Sequence, residues 1–514
     1  MKIFRLILPV LALSACSACR EPAGKGVVTE TDPRPNIVII YLDDLGYGDT
    51  GAYGATELST PNMDALAAAG IRFTNGYAAS ATCTPSRYAL LTGRYPWRKK
   101  EARILPGDAP LIIDTAQQTL PKLLRQQGYA TGIVGKWHLG LGNGAVDWNG
   151  RVTPGPNEVG FDYSYILAAT QDRVPTVYIK NGQVVGLDPE DPISVDYQNN
   201  FPGEPTALTH PEMVRMPWDH GHNNSIVNGI PRIGFMRGGE SARWVDEDMA
   251  DSFLSEARAF VKRHKDQPFF LYYALQQPHV PRTPNPRFAG ETGLGPRGDV
   301  IFEADWCIGQ FMETLRTQGL LENTLVILTS DNGPVLNDGY VDRAVELNGS
   351  HTPWGPLRGG KYSLFEAGTR VPFLASWPGR IAPGISDALI SQVDLLASLA
   401  QIAGVEAELE LDSRDLSGVL FGTDQAGRES LVLEATGRTA LRQGDWLLIP
   451  PYDGPPVATN VNIEVGNAPE VQLYNLRTDL GQQHNLAASQ PEKLEELIAA
   501  YESLTGRSVG PAAE

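Results

Sequence analysis

The chain has 514 residues, 42% of them hydrophobic and 20% charged, which excludes a long disordered polyelectrolyte and allows a large buried core. Its 60 acidic and 42 basic side chains give a net charge of −18, so we expect no nucleic acid among its partners. Four cysteines in a chain of this length exclude a disulfide scaffold.

The N-terminus has the pattern of an export signal. Lys2 and Arg5 precede an apolar run that is too short to span a bilayer, which predicts a signal peptide over residues 1–15. The run ends in Leu-Ser-Ala-Cys, which resembles the lipobox of bacterial lipoproteins and implies lipidation of Cys16. We therefore expect an exported, lipid-anchored cell-envelope protein, in the periplasm or at the outer membrane or cell surface, with a tether over residues 16–35. An ordinary cleaved signal with incidental cysteines is the alternative.

Predicted helices and strands alternate after the tether. A β-branched run at residues 36–42 is typical of a strand buried on both faces. A helix then begins at Thr60-Pro61, with the threonine as its cap, and ends at Gly70. This alternation predicts an α/β domain over residues 36–414, with a large, mostly parallel sheet flanked by helices on both faces. Further helices are predicted at residues 121–127, 248–264 and 305–318, followed by strands at residues 130–135, 268–275 and 325–330.

The C-terminal part has a different pattern. Short strands separated by turn residues are predicted at residues 430–433, 439–442, 446–449 and 471–474, followed by a helix at residues 492–505. These elements predict a smaller antiparallel-sheet subdomain over residues 415–514.

Acidic and amide side chains follow the first and last strands of the large sheet. Asp43 and Asp44 come after one strand, and Asp331 and Asn332 after the other. Sites in open parallel sheets form beyond the carboxyl ends of the strands, where three carboxylates would repel one another unless a cation lay between them. Hard oxygen donors without an adjacent cysteine or histidine favour Ca²⁺, and after it Mg²⁺, over zinc. A turn former or a helix cap is the alternative for either pair alone.

The other two strands also end in polar residues. Lys136 and His138 lie two positions apart, so their side chains point to the same side of an extended segment. His279 follows the third strand and lies between Pro278 and Pro281, which restrict its backbone. A histidine with a purely structural role, or a rigid proline loop, would give the same pattern.

A cysteine-containing segment links these residues to a family. The residues C-T-P-S-R at 83–87, followed by T-G-R at 92–94, resemble the signature of type I sulfatases. Together with the motifs given next, this segment looks similar to arylsulfatase A-like bacterial polysaccharide sulfatases of the alkaline phosphatase superfamily. One difference is Ala367, which stands where many members carry glycine. Further matching motifs follow in the family's order: G-K-W-H-L-G at 135–140, S-D-N-G at 330–333, G-G-K at 359–361 and T-R-V-P at 369–372.

The resemblance implies a sulfatase-like fold and a modified active-site residue. Cys83 would be oxidised to Cα-formylglycine by a formylglycine-generating enzyme, and its hydrate would attack the sulfur of a sulfate ester. The cation would bind both the sulfate and residue 83. From the residue alone, a buried free thiol is the alternative for Cys83. The metal ligands implied are Asp43, Asp44, Cys83, Asp331 and Asn332.

The resemblance also assigns catalytic roles. His138 would be the base that releases sulfate, and His279 with Lys361 would protonate the leaving alcohol. Arg87 and Lys136 would hold the oxyanion of residue 83. Asp331 would help to activate the attacking hydroxyl.

A long insertion at residues 200–245 is rich in groups that suit a sugar ring. We expect His220, His222 and Arg237 to bind a sulfated glycan that contains galactose or hexosamine; stabilisation of a long loop is the alternative. Two other functions stay open: a formylglycine-dependent phosphonate or phosphate ester hydrolase, and a lipid-anchored glycan-binding protein without catalysis. The insertion also contains His210, Trp218, Arg243 and Trp244.

Overall fold

The computed structural model describes Met1 and residues 34–405 and 411–510. The predicted signal peptide, Cys16 and nearly all of the predicted tether lie outside the described residues. Among the residues described, no helix combines the length and the apolar character needed to cross a membrane.

A ten-stranded sheet confirms the predicted α/β fold. Its strand order is β10-β2-β9-β8-β1-β7-β3-β4-β5-β6, and only β5 and β9 run against the other strands of this sheet. The four predicted strands are the four central neighbours β8, β1, β7 and β3. The strands are β1 (Asn36–Asp43), β2 (Ile71–Phe73), β3 (Ala130–Lys136), β4 (Tyr163–Leu167), β5 (Tyr178–Lys180), β6 (Gln183–Val184), β7 (Phe269–Pro278), β8 (Thr324–Ser330), β9 (Phe373–Ser376) and β10 (Gly384–Ser386).

Both faces of the sheet are buried. In β1, Ile37 and Ile39 pack into one apolar cluster, whereas Val38 and Ile40 pack into the other. Because successive side chains of a strand point to opposite faces, a strand covered on both sides must be apolar at every position. Helices α2, α3 and α6 contribute to the first cluster, and α1, α4 and α5 to the second. The longer helices are α1 (Pro61–Ala68), α2 (Cys83–Thr92), α3 (Leu120–Gln126), α4 (Met249–Arg263), α5 (Gly295–Thr317), α6 (Leu395–Ile402) and α7 (Pro491–Thr505).

One helix start and one helix cap differ from the prediction, whereas α1 begins at Pro61 as predicted. Helix α5 begins at Gly295, ten residues before the predicted start at Asp305, because Pro296 occupies its first turn and the buried face continues upstream. The carboxylate of Asp305 instead accepts hydrogen bonds from the first backbone amides of α1, at 2.8 Å from the Met63 nitrogen. Thr60 makes no side-chain cap of α1 and accepts a hydrogen bond from the amide of Gly51. A carboxylate from a distant helix therefore caps α1.

The predicted C-terminal antiparallel sheet is present. Its strands are neighbours in chain order, and α7 packs into the same apolar cluster. This cluster includes Ala89 of α2 and Phe365, so the small sheet supports segments of the large domain. The boundary after residue 414 stays a prediction. The strands are β11 (Ser430–Ala435), β12 (Arg438–Gln443), β13 (Trp446–Ile449) and β14 (Gln472–Asn475).

Close backbone packing positions the residues that follow β8. The amide of Gly333 donates to the carbonyl of Gly368 at 2.9 Å, and a Cβ on Gly333 would lie 1.6 Å from the carbonyl oxygen of Ala367. The side chain of Ala367 is fully buried in an apolar cluster, so the extra methyl group is accommodated there. Glycine is therefore required at position 333, not at position 367.

We expect Gly333→Ala to lower the free energy of unfolding by about 1–3 kcal/mol, because the backbone must move apart to admit the methyl group. Gly384→Ala is the matched control, since a Cβ there has no atom within 4 Å. Urea denaturation of both variants measures the difference. Equal stabilities would contradict this account of the packing.

Candidate active site

The ends of the central strands meet at Cys83. Cys83 lies in the first turn of α2 and is 2% exposed. Its sulfur and one carboxylate oxygen each from Asp43, Asp44 and Asp331 all lie within 4.8 Å of one another. The structure therefore brings the motif cysteine to the acidic strand ends, as an active site built from these residues requires.

Strand register explains why the acidic residues converge. Leu42 in β1 pairs with Ser330 in the neighbouring parallel strand β8, so both strands end at the same edge. Beyond that edge, the amide of Asp44 donates to Asp331 Oδ1 at 3.2 Å. Asn332 Nδ2 donates to Asp44 Oδ1 at 2.7 Å. Asp44 has a φ of 67°, a left-handed conformation that is uncommon for a residue with a side chain and that turns the chain sharply here.

Each buried carboxylate has a cationic partner. Lys136 Nζ lies 2.6 Å from Asp43 Oδ2, and Arg87 Nη2 lies 2.8 Å from Asp331 Oδ2. Lys361 Nζ donates to Asp44 Oδ2 at 2.9 Å and to Asp338 Oδ2 at 2.8 Å. Side chains with ionic charge are buried at this depth only when they are paired, because desolvation of a lone charge costs several kcal/mol.

The electrostatics of the cluster differ between its two closest acids. Burial alone would raise the pKa of Asp331, but Arg87 and Lys136 outweigh burial and hold that pKa at about 2. Burial and the neighbouring Asp331 raise the pKa of Asp43 well above its ordinary value, against the opposing effect of Lys136. The surroundings therefore stabilise the ionised form of Asp331 and disfavour the ionised form of Asp43.

Two oxygens of this cluster lack hydrogen-bond partners. Asp43 Oδ1 and Asn332 Oδ1 are buried, and neither has a partner among the described residues. Unpaired buried oxygens are costly, and a hard cation would satisfy them. The donor set of three carboxylates and one amide oxygen therefore fits Ca²⁺ or Mg²⁺.

The two predicted catalytic histidines each have one free ring nitrogen. His138 Nε2 lies 3.0 Å from the carbonyl oxygen of Leu105, so Nε2 carries the proton and the buried Nδ1 keeps its lone pair. His279 Nδ1 lies 2.7 Å from the carbonyl oxygen of Val280, and its Nε2 lies 3.9 Å from Asp44 Oδ2. Burial, followed by the charges of nearby lysines, lowers the pKa of both histidines well below the ordinary value.

The thiol of Cys83 is not activated. Burial raises its pKa, and the positive charges of Lys136 and Lys361 do not offset that effect. A neutral thiol is a weak nucleophile, so the unmodified cysteine is poorly suited to attack an ester.

A cavity of about 180 Å³ opens above these groups. His220 and His222 of the predicted insertion line it, with His222 Nε2 donating to Asp172 at 2.8 Å. Arg237 does not line it; this exposed side chain lies 5.1 Å from the ring of Phe201. The lining residues are Cys83, Ile104, His138, Asp172, Arg173, His220, Gly221, His222, Ile233, His279, Asp338, Lys361, Tyr362 and Asn460.

Three charged residues of the cavity wall were not predicted. Asp172 and Arg173 follow β4, so the same rule of polar strand ends would have found them if β4 had been predicted from its sequence. Asp338, which holds Lys361, lies in a loop and has no sequence pattern that marks it.

Comparisons with known proteins agree with this geometry. The family model described as Sulfatase matches residues 35–405. The chain belongs to the sulfatase family. This sulfatase is 48% identical to the N-acetylgalactosamine-6-O-sulfatase of Bacteroides thetaiotaomicron over 512 residues, 99% of this chain and 100% of that protein. It is 34% identical to human arylsulfatase A, covering 90% of this chain and 86% of that protein.

A solved structure shares the fold as well. A Bacteroides thetaiotaomicron protein, from work on the metabolism of multiple glycosaminoglycans, matches with a TM-score of 0.91 and 49% identity. The match covers 93% of this sulfatase and 100% of that chain. The predicted resemblance is confirmed, and the enzyme hydrolyses sulfate esters.

We expect Arg87→Met to lower the free energy of unfolding by about 3–5 kcal/mol, because it leaves the buried Asp331 without its guanidinium partner. Arg477→Met removes an exposed partner of Asp445, at 2.7 Å, and should cost at most about 1 kcal/mol. Chemical denaturation of both variants gives the comparison. Similar losses would show that the buried pair does not carry the stability assigned to it.

Proposed function

We propose that this sulfatase removes 6-O-sulfate from N-acetylgalactosamine units of a sulfated glycan, with formylglycine at residue 83 and a divalent cation. The observation that carries the mechanism is the position of Cys83 beside three carboxylates, in a cluster where Asp43 Oδ1 and Asn332 Oδ1 have no hydrogen-bond partner among the described residues. The support for the substrate is the 48% identity, over almost the whole chain, to an enzyme named for that sugar and sulfate position.

Four residues would hold the cation, namely Asp43, Asp44, Asp331 and Asn332, with Ca²⁺ preferred to Mg²⁺. When bound, the cation would neutralise the sulfate and stabilise the negative charge of the transition state. Oxidised to formylglycine, residue 83 would supply in its hydrate one hydroxyl that attacks sulfur and a second whose deprotonation expels sulfate.

The chain's own groups would move the protons. His138 Nδ1 has a free lone pair and an imidazole fixed through its other nitrogen, an arrangement suited to a base at residue 83. Lys361 Nζ and His279 Nε2 lie 2.9 Å and 3.9 Å from the same oxygen, Asp44 Oδ2. Lys361, or His279 once it is protonated, would give a proton to the departing alcohol oxygen. Arg87 and Lys136 hold the carboxylates in place, which keeps the ligand oxygens oriented.

The wall of the cavity carries polar groups that would contact the sulfated end of a sugar unit. Asp172 and Arg173 are bonded to each other at 2.8 Å, and His222 supports the aspartate. Both residues line the cavity, whose volume of about 180 Å³ is below the range typical of small-ligand pockets and would admit only part of a sulfated sugar unit. Hydrogen bonds from such a wall to ring hydroxyls would orient the 6-sulfate toward residue 83.

We expect the wild-type protein to release sulfate from N-acetylgalactosamine 6-sulfate, and peptide mass analysis to find an aldehyde at residue 83. Cys83→Ala should lose at least about 1,000-fold in rate, because no other residue supplies two hydroxyls. Cys307→Ala is the control, since Cys307 is a buried free thiol on α5. Full activity of Cys83→Ala would contradict the mechanism.

The same assay tests the substrate. Release of sulfate from aryl esters but from no sulfated saccharide would contradict a glycan substrate. Faster hydrolysis of matched phosphonate or phosphate esters would favour the alternative ester hydrolase.

We also propose that the enzyme is exported, modified by a formylglycine-generating enzyme, and anchored in the cell envelope through lipid on Cys16. The support is the basic N-terminus, the short apolar run and the Leu-Ser-Ala-Cys sequence.

We expect the full chain to incorporate labelled palmitate in a Gram-negative host, and Cys16→Ala to lose the label. Cys19→Ala should keep it, because this thiol lies outside the lipobox. Labelling of Cys16→Ala at the wild-type level would contradict the anchor.

A further inference from the structure

A large basic groove adjoins the active-site cavity. Its volume is about 640 Å³, more than three times that of the cavity around Cys83. Five cationic side chains line this basic groove, namely Arg98, Lys99, Lys100, Arg103 and Arg507.

The basic groove lies beside the active-site cavity. Ile104 lines both spaces, and Thr82 and Pro85, on either side of Cys83, line the groove. Sugar units linked to a sulfated unit in the active-site cavity would therefore lie close to the groove.

Two cations of the groove are free to bind a ligand. Lys100 and Arg103 are exposed, and neither has a carboxylate within 4.0 Å among the described residues. Arg98 is partly committed to Asp412, at 3.0 Å, and Lys99 lies 3.6 Å from Glu101. Arg507 also has no carboxylate partner among the described residues, but it is half-buried and donates hydrogen bonds within the protein. The exposed positive charge without a carboxylate partner is therefore on residues 100 and 103.

An aromatic residue orders the wall of the groove. The guanidinium carbons of Arg98 and Arg507 lie 4.2 Å and 5.3 Å from the ring centre of Trp97. Such cation–π contacts hold long side chains in place. The buried Nε1 of Trp97 has no hydrogen-bond partner among the described residues.

The acidic group in the lining is largely withdrawn from a ligand. Glu434 is 2% exposed and accepts hydrogen bonds from the hydroxyl of Ser80 and the amide of Gly437. The rest of the protein is strongly acidic, with a net charge of −18. Because charges are screened beyond about 8 Å at physiological ionic strength, the groove still presents a local positive field.

We propose that the basic groove binds the acidic groups, carboxylate or sulfate, of sugar units adjacent to the sulfated unit in the same glycan chain. This inference rests on the proposed function, since it extends the glycan beyond the unit that is hydrolysed. The enzyme then prefers an acidic oligosaccharide to the corresponding monosaccharide sulfate, and the preference weakens as salt is added.

The test compares Lys100→Ser/Arg103→Ser with Lys262→Ser/Lys265→Ser. The control lysines are also exposed. They lie at the C-terminal end of α4 and in the turn that leads to the start of β7, whereas the active site lies beyond the other end of the strands. The first readout is calorimetric binding, at low ionic strength, of a tetrasaccharide that carries uronate carboxylates and no sulfate. The second is the ratio of kcat/KM for a uronate-containing, 6-sulfated tetrasaccharide to that for N-acetylgalactosamine 6-sulfate.

We expect the groove variant to bind the uronate tetrasaccharide about tenfold more weakly and to lose a similar factor in the ratio, whereas the control variant matches the wild type. Equal binding by all three proteins, or no binding by the wild type, overturns the inference. Loss of binding to anionic lipid vesicles with an unchanged tetrasaccharide affinity also overturns it, in favour of a membrane-facing surface. Failure of the proposed function is distinguishable, because it abolishes sulfate release from both saccharides and leaves the binding readout intact.

Discussion

The site depends on three carboxylates that are buried together around one cysteine. Asp43, Asp44 and Asp331 would repel one another in a dry interior, and their desolvation is the main opposing cost. Lys136, placed by β3, and Arg87, placed by α2, each supply a compensating charge from a different element. The position of the cysteine, the order of the strands and the depth of the site therefore form one connected arrangement.

Local backbone strain accompanies this arrangement. Asp44, His138 and Tyr362 all have positive φ values, between 55° and 73°, and all lie in or beside the cavity. Left-handed conformations of residues with side chains are unfavourable, and they persist where surrounding contacts determine them. Here the surrounding contacts include the bond from the Thr84 hydroxyl to the His138 carbonyl, at 2.8 Å. These strained conformations lower the stability of the fold and at the same time orient side chains at the site.

Sequence reasoning predicted the features that depend on short-range patterns. The β-branched run of β1 identified a strand buried on both faces, and Asp43 and Asp331 followed from the rule that sites form where parallel strands end. It did not predict features that depend on distant partners. The cap of α1 by Asp305 and the support of Lys361 by Asp338 join residues that share no local pattern.

The insertion shows the same division between composition and geometry. His222 lines the cavity because its ring is held by Asp172 and packs 4.5 Å from the ring of Tyr340. Arg237, chosen for the same polar character, lies on the outside. Composition indicates that a loop can bind a sugar, but only tertiary contacts determine which of its side chains face the site.

The most direct test of the central claim is the metal content of the correctly modified enzyme after exposure to Ca²⁺, Mg²⁺ and Zn²⁺ together. We expect about one Ca²⁺ per chain in the wild type and a large loss in Asp44→Asn, because this change removes a carboxylate ligand while nearly preserving the side-chain volume. Stoichiometric zinc, or equal Ca²⁺ in both proteins, would contradict it.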